Sequence, residues 1–451
     1  MGNARLKQRP IQPERVLALG FLALILVGGV VLSLPVSAAG GRSLGCLAGF
    51  FTATSAVCVT GLSVVDVGLE LSLFGQAVLL CLIQVGGLGF MVFATLIMVA
   101  LGRRISLRSR VLLRDSMNQS NLSGMVGLAR AGFGIAALIE LLGALVLMTR
   151  LIPLYGAKRG VWYSVFASIS AFCNAGFDLF GGYQSLTQMQ EESVVLLALS
   201  ALIVLGGLGF SVMLELVHQR LHLQRMSLHA KLVLASTGLL LLLGFAGTLA
   251  LEWNNPATLG NLPLGAKLVN AFFQSVTLRT AGFASLDQSA LTDSSKLLGC
   301  LFMFTGASPA STGGGVKTTT LAMLALLVAT VVSGRTQIHA FGREIAVDTV
   351  RRAVTLCVMG AAFALGGACL IGALEGGRFS MMDILFETTS AFSTTGLSAL
   401  GTGQLSVSSQ WLLLPLMYLG RVGPLTLAAA LARRGTQSGR IRYPEEKIMI
   451  G

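Results

Sequence analysis

Charge is what this chain is short of. Asp, Glu, Lys and Arg make up 11% of its 451 residues, while 54% are hydrophobic. Soluble domains carry about 25% charged residues. Together with a mean hydropathy of +0.79, this excludes a soluble globular protein and implies a helical chain that crosses the membrane repeatedly. Histidine is down to four residues, and Ser, His and Asp are scattered without a plausible triad, so enzyme activity has little support. Seven cysteines are present (Cys46, Cys58, Cys81, Cys173, Cys300, Cys357 and Cys369), but no C-x-x-C pair. That argues against a zinc site or a disulfide framework, and in apolar runs these residues read as buried thiols. A phosphate-binding loop is missing too. Gly313–Lys317 comes nearest, but Lys317 does not directly follow the last glycine and the stretch lies in an apolar run. The first apolar run, Val16 to Val36, is long enough to span a bilayer and lacks a convincing cleavage site, so it is expected to remain as a span.

Glycine, by contrast, is plentiful at 55 residues, which suits close helix packing and unwound segments in lipid. A fourfold repeat stands out as well. Phe51–Gly61 reads F-T-A-T-S-A-V-C-V-T-G, and Phe166–Gly176 reads F-A-S-I-S-A-F-C-N-A-G. Phe272–Gly282 reads F-F-Q-S-V-T-L-R-T-A-G, and Phe386–Gly396 reads F-E-T-T-S-A-F-S-T-T-G. Each copy sets Phe and Gly ten positions apart with small or hydroxyl residues between. Four copies call for a fourfold arrangement. Each is expected to form a helix of about two turns that unwinds at the Gly, because Gly tolerates backbone angles other residues avoid. Four unwound stretches on one axis can aim carbonyl oxygens inward and replace the water shell of a cation. Non-helical backbone at membrane depth is tolerated when buried in protein or lining a water-filled path. The expected ion filter is therefore Cys58, Val59, Thr60 and Gly61; Cys173, Asn174, Ala175 and Gly176; Arg279, Thr280, Ala281 and Gly282; and Ser393, Thr394, Thr395 and Gly396. Four loops of chance similarity are the alternative, and the recurrence of one spacing in like surroundings argues against it.

The chain in order repeats one plan, span–pore loop–span. We expect an N-terminal tail at 1–15, a first unit at 16–102, and a second at 103–217 that includes its preceding basic loop. A third unit at 218–334, a fourth at 335–432 and a C-terminal tail at 433–451 complete the plan. The expected fold class is thus all-α integral membrane, with eight transmembrane helices and four re-entrant pore helices around one pore. The tails and inter-unit loops, with Lys317 and Arg421, hold three quarters of the 32 Lys and Arg. Short cytoplasmic loops carry the basic excess, so both termini are expected in the cytoplasm and the filter copies facing out. The formal net charge of +13 then reads as an orientation signal beside anionic lipid, with no nucleic-acid partner.

In the second span of each unit lies a further glycine pattern. Gly86-Gly-Leu-Gly-Phe90 and Gly206-Gly-Leu-Gly-Phe210 match, and Gly420-Arg-Val-Gly-Pro424 is their counterpart. For the first two, close helix packing is the expected role. In the third unit the stretch Gly306–Lys317 holds Pro309 and three consecutive glycines, which cannot continue a helix comfortably. A broken helix is expected there, its loop below the filter; a simple kink is the alternative. Arg421 sits in an otherwise uncharged stretch, Thr388 to Ala432. An intramembrane charge costs at least ~2.5–3.5 kcal/mol on insertion scales and normally faces a cavity or partner. The expected gate is Gly306, Ser311, Thr312, Gly313, Gly314, Gly315 and Lys317, with Arg421 pointing at it as an electrostatic barrier. Glu140 is expected to pair with a neighbouring helix, or else to serve as a cation or regulatory site. Arg279 is expected to turn away from the axis, because a positive side chain in a cation filter would repel the ion.

These features resemble the Trk/Ktr/HKT superfamily of cation transporters over nearly the whole chain. The carriers are the four filter copies, S-T-G-G-G-V-K at 311–317, G-R-V-G-P-L-T at 420–426 and Y-P-E-E at 443–446. Two extra N-terminal spans typical of Trk-type subunits are not expected in this chain, so the resemblance is to the Ktr branch. It implies K+ selectivity through backbone carbonyls, with Gly61, Gly176, Gly282 and Gly396 all present. A glycine-rich gate opposed by an arginine and a homodimer of separate pores are also implied. So are a bacterial inner-membrane location and a cytosolic KtrA-like ring that binds ATP or ADP and controls opening. Sodium is a possible activator on the same grounds, and no organic cofactor is expected in this chain. Three readings compete: a gated, passive potassium pathway, a sodium or non-selective pathway of the same fold, and a coupled H+/Na+ symporter. A symporter would call for inverted repeats and intramembrane acids, whereas the repeats here run in one orientation.

Overall fold

The computed structural model describes residues 13–89, 125–219, 222–335 and 337–431. The basic loop at 103–114, residues 1–12 of the N-terminal tail, the C-terminal tail and Phe90 lie outside them. The described chain is helical apart from a two-stranded hairpin, His339–Ala340 with Arg343–Glu344.

Long helices begin each of four similar sets: α1 Pro13–Ser33, α4 Met125–Tyr155, α8 Leu228–Glu252 and α12 Val347–Glu375. Among the described residues, these four contain the uninterrupted helical stretches long and apolar enough to cross a membrane. A shorter helix follows in each set: α2 Cys46–Cys58, α5 Ala157–Phe172, α9 Leu264–Thr277 and α13 Met381–Ser393. At 13 to 16 residues they exceed the two turns expected, because each starts several residues before its repeat Phe. Phe51, Phe166 and Phe386 are fully buried. In the third set the fully buried ring is Phe273, one position later than expected.

The third helices are α3 Leu73–Leu88, α6 Ser193–Leu208, α10 Asp293–Phe304 and α14 Val407–Val422. Hydroxyl caps start three of them, Ser72 accepting from Gly75 N–H, Thr292 from Ser295 N–H and Ser406 from Ser409 N–H; such a cap satisfies one of the otherwise free first-turn donors. They also end alike. Where unbroken second spans were expected in the second and fourth units, the chain breaks at Gly209 (φ +91°) and Gly423 (φ +87°). At Gly209 the chain turns by 98° into α7 Phe210–His218, and after Gly423 it continues as α15 Pro424–Leu431. A positive φ ends an α-helix, and Gly is the residue that adopts it without a Cβ penalty. In the third set the break is the stretch 305–317, after which α11 Thr318–Val332 resumes.

Packing closes these sets into a ring. Each long helix packs on its own short helix, and each third helix packs on the next set's short helix: α3 on α5, α6 on α9, α10 on α13, and α14 back on α2. One charged pair reinforces the ring, Lys296 Nζ to Asp383 Oδ1 at 2.7 Å between α10 and α13. Another polar tie is Glu140. Its carboxylate accepts from Gln84 Nε2 at 3.0 and 3.1 Å, joining α4 to α3.

Candidate functional site

The four repeats leave their short helices in one way. Val59, Asn174, Thr280 and Thr394 all take left-handed φ values of 53 to 62°, which non-glycine residues rarely do. Gly61, Gly176, Gly282 and Gly396 follow with φ of 69 to 95°. Local hydrogen bonds hold the turn. Thr60 N–H donates to Ser55 O at 2.7 Å, Ala175 N–H to Ser170 O at 2.8 Å and Thr395 N–H to Ser390 O at 2.8 Å. Gly61 and Gly396 N–H each donate to a serine hydroxyl, Ser55 and Ser390, at 3.0 Å.

These turns meet. A methyl on Gly61 would stand 2.6 Å from Ala175 O, one on Gly176 2.8 Å from Ala281 O, and one on Gly282 2.5 Å from Thr395 O; one on Gly396 would collide with Thr60 O. The order first-to-second, second-to-third, third-to-fourth and fourth-to-first closes a ring of glycines and the carbonyls preceding them. The neighbouring side chains Cys58, Val59, Thr60, Cys173, Asn174, Ala175, Thr280, Ala281, Ser393, Thr394 and Thr395 are fully buried. Arg279, 5% exposed, extends its guanidinium to Thr237 Oγ1 on α8 at 3.4 Å.

On one face of the ring lies the stretch 306–317. Gly306 N–H donates to Val316 O at 2.7 Å, pinching its ends together, and Ser308 and Thr312 N–H donate to Gly207 and Gly206 O. Ser311 Oγ closes a turn on Ser308 O at 2.6 Å. The Thr312 hydroxyl lies 3.1 Å from Phe172 O and 3.2 Å from Asn174 Oδ1, directly at the second turn. Gly313 abuts Thr280, Gly314 abuts Thr394, and Gly315 lies against Ser393 O. Lys317 Nζ donates back to Gly313 O at 2.7 Å. Arg421 bridges the whole assembly: it donates to Thr312 O, to Gly86 O, and to Gly87 O at 3.1 Å. The loop is thus tied to the ends of α3 and α14 by one guanidinium. Gly86, Gly206 and Gly420 pack against Val57 O, Phe172 O and Phe392 O, leaving no room for a side chain.

Two cavities flank this construction. One, of about 440 Å³, is lined by Phe210, Gly313, Lys317, Phe392 and Arg421 among others. The other, of about 190 Å³, is lined by all four ring glycines together with Asp66, Asp178 and Gln288. Both of its carboxylates escaped the sequence reading. Asp66 receives N–H bonds from Gly68 and Leu69 at 3.0 Å and from Gly182, and Asp178 receives one from Phe180 at 3.1 Å. Their available signal was position: acids two and five residues after a ring glycine, in stretches otherwise free of charge. Among the described residues no group of His, Cys, Asp and Glu could hold a resident metal ion.

Residues 26–439 match the family model described as TrkH, cation transport protein. The Ktr system potassium uptake protein B of Bacillus subtilis is 38% identical over 439 residues, covering 97% of each chain. The potassium/sodium uptake protein NtpJ of Enterococcus hirae is 36% identical over 450 residues, covering 99% of each. In fold, the chain is similar to the potassium transporter TrkH of Vibrio parahaemolyticus, with a TM-score of 0.72 at 19% identity over 95% of this chain and 86% of the other. A helical membrane protein closed from four like sets, matched by that family model over most of its length and by relatives along nearly all of it, belongs to the TrkH/Ktr family of cation transport proteins.

Proposed function

We propose that this chain is a potassium-selective, channel-like uptake pathway in the bacterial inner membrane, with its filter at the glycine ring and its gate at the 306–317 loop. The closed cyclic order of Gly61, Gly176, Gly282 and Gly396, each beside a neighbour's carbonyl, carries the reading. A K+ ion sheds its water readily to such a cage, and the cost of dehydration is offset by carbonyl dipoles. The units 16–102, 103–217, 218–334 and 335–432 each contribute one quarter. The cavity holding Asp66 and Asp178 is the external mouth, and the one holding Arg421 and Lys317 faces the cytoplasm, in keeping with the basic excess of the tails and inter-unit loops. Arg421 holds the loop across the path and repels cations until a cytosolic KtrA-like ring, binding ATP or ADP, releases it. The basic loops and tail are the docking face for that ring, and two copies of this chain pair as a homodimer. Passive flux suffices: an inside-negative potential contributes ~2.3 kcal/mol per 100 mV for each monovalent cation, so roughly 150 mV supports a gradient of about 300-fold.

A sodium-conducting variant of the same pathway is the second reading, favoured by the 36% identity to a protein named for both ions. Flux in proteoliposomes separates the two. Wild-type protein is expected to prefer K+ over Na+, and Gly176→Ser to lower that preference about tenfold or more, since a side chain there meets Gly282 Cα at 2.7 Å. Equal flux of both ions through the wild type would overturn potassium selectivity.

A further inference from the structure

Of the carboxyl groups that the ring and the gate do not explain, Glu387 is among the most buried. It lies on α13, 1% exposed, one residue after the buried Phe386 and nine before Gly396. The corresponding positions in the other three repeats are Thr52, Ala167 and Phe273, so only the fourth carries an acid there. Lipid-depth burial of a carboxyl is costly, and such groups are retained where they do something. Glu387 Oε1 accepts a hydrogen bond from Thr402 Oγ1 at 2.6 Å. Oε2 makes no hydrogen bond, and Ser398 lies close enough to act on the same carboxyl. Thr402 and Ser398 both belong to the chain just after Gly396, and both line the 190 Å³ cavity above the ring. The carboxyl therefore stands behind the fourth turn and grips the segment that continues from it. Ser398 in turn accepts from Gly401 N–H at 2.9 Å, folding 398–402 into a compact loop.

We propose that Glu387 is a positioning residue for the fourth filter segment: through Thr402 it fixes residues 396–402, and so sets how well the ring discriminates K+ from Na+. This rests on the ring being the filter. The physical reason is stiffness. A carbonyl cage selects by the number and spacing of its oxygens, so freeing one of four segments lets it close around a smaller ion. The bond to Thr402 is short and sits in an environment where water cannot replace it, so losing either partner strands the other.

The test is K+ and Na+ flux, each with its KM, in proteoliposomes containing Glu387→Ala, Glu387→Gln, Thr402→Val and the Glu387→Ala/Thr402→Val pair. Detergent-solubilised yield and monodispersity show that each variant folds, and Gln and Val are close in shape to the residues they replace. Glu387→Ala and Thr402→Val are each expected to lower the K+/Na+ flux ratio about tenfold. Gln can still accept from Thr402, and Glu387→Gln is expected to recover most of the ratio. The pair is expected to be no worse than either single change, as for two ends of one bond. A wild-type ratio in Glu387→Ala, a Gln variant as impaired as Ala, or additive effects in the pair would each overturn the proposal. A wild type without K+ preference would instead overturn the filter assignment on which it rests.

Discussion

Asp178 shows how far a single side chain can report on the pathway. Burial pushes its carboxyl up to about 6, and the nearby Asp66 charge adds to the rise against the opposing hydrogen bonds from Phe180 and Ser185. The native pKa thus lies above that of an exposed carboxylate, so the folded state holds this proton more tightly than the unfolded one. Ionised Asp178 costs stability at neutral pH. That cost is relieved as pH falls through about 6 toward the ordinary carboxylate range. For transport the consequence has the opposite sign. Acidification from pH 7.5 to 5.5 neutralises an anion in the cavity that the ring glycines line, and the KM for K+ is expected to rise about two- to threefold. Asp178→Asn should show the higher KM at both pH values and lose the response. An unchanged pH profile in Asp178→Asn would contradict this role. Arg421 is the other residue whose environment is decisive. Its three backbone acceptors come from the third and first sets, so one side chain joins elements more than 100 residues apart in sequence.

At the scale of elements, the loop 306–317 and α14 act as a pair. If Arg421 holds the loop across the path, Arg421→Ala and deletion of residues 310–314 should each raise K+ flux, by about tenfold for the point change, on the scale of one or two charge-assisted hydrogen bonds. Uptake unaltered in both variants would refute the gate. The loop's break was legible in the sequence, because Pro309 and Gly313–Gly315 leave a helix no way through. The breaks at Gly209 and Gly423 were not legible. G-G-L-G-F and G-R-V-G-P serve two purposes at once: Gly206 and Gly420 press against main-chain carbonyls of α5 and α13, while the last glycine of each, Gly209 and Gly423, turns the chain. Helix packing and helix ending ask for the same residue, so composition alone could not separate them. The length of the short helices was underestimated for a similar reason. The repeat Phe marks burial, and helices α2, α5, α9 and α13 begin upstream of it in residues with no shared pattern.

The whole molecule is a cycle of four sets in which every third helix braces the next set's short helix. That cyclic order could be anticipated from four copies of one spacing, because spacing survives when side chains diverge. What the repeats did not single out is where acids set the copies apart: Glu387 in the fourth, Asp66 after the first and Asp178 after the second. Such differences break the symmetry of the mouth and are visible only once the segments share an axis. The account as a whole depends on a bare cation occupying that axis. The most direct measurement is anomalous difference density from Rb+ in crystals of the full chain grown without sodium or potassium. A peak on the axis, encircled by the carbonyl oxygens of Thr60, Ala175, Ala281 and Thr395, is the predicted result. An empty axis at saturating Rb+, with the ion bound elsewhere, would contradict it.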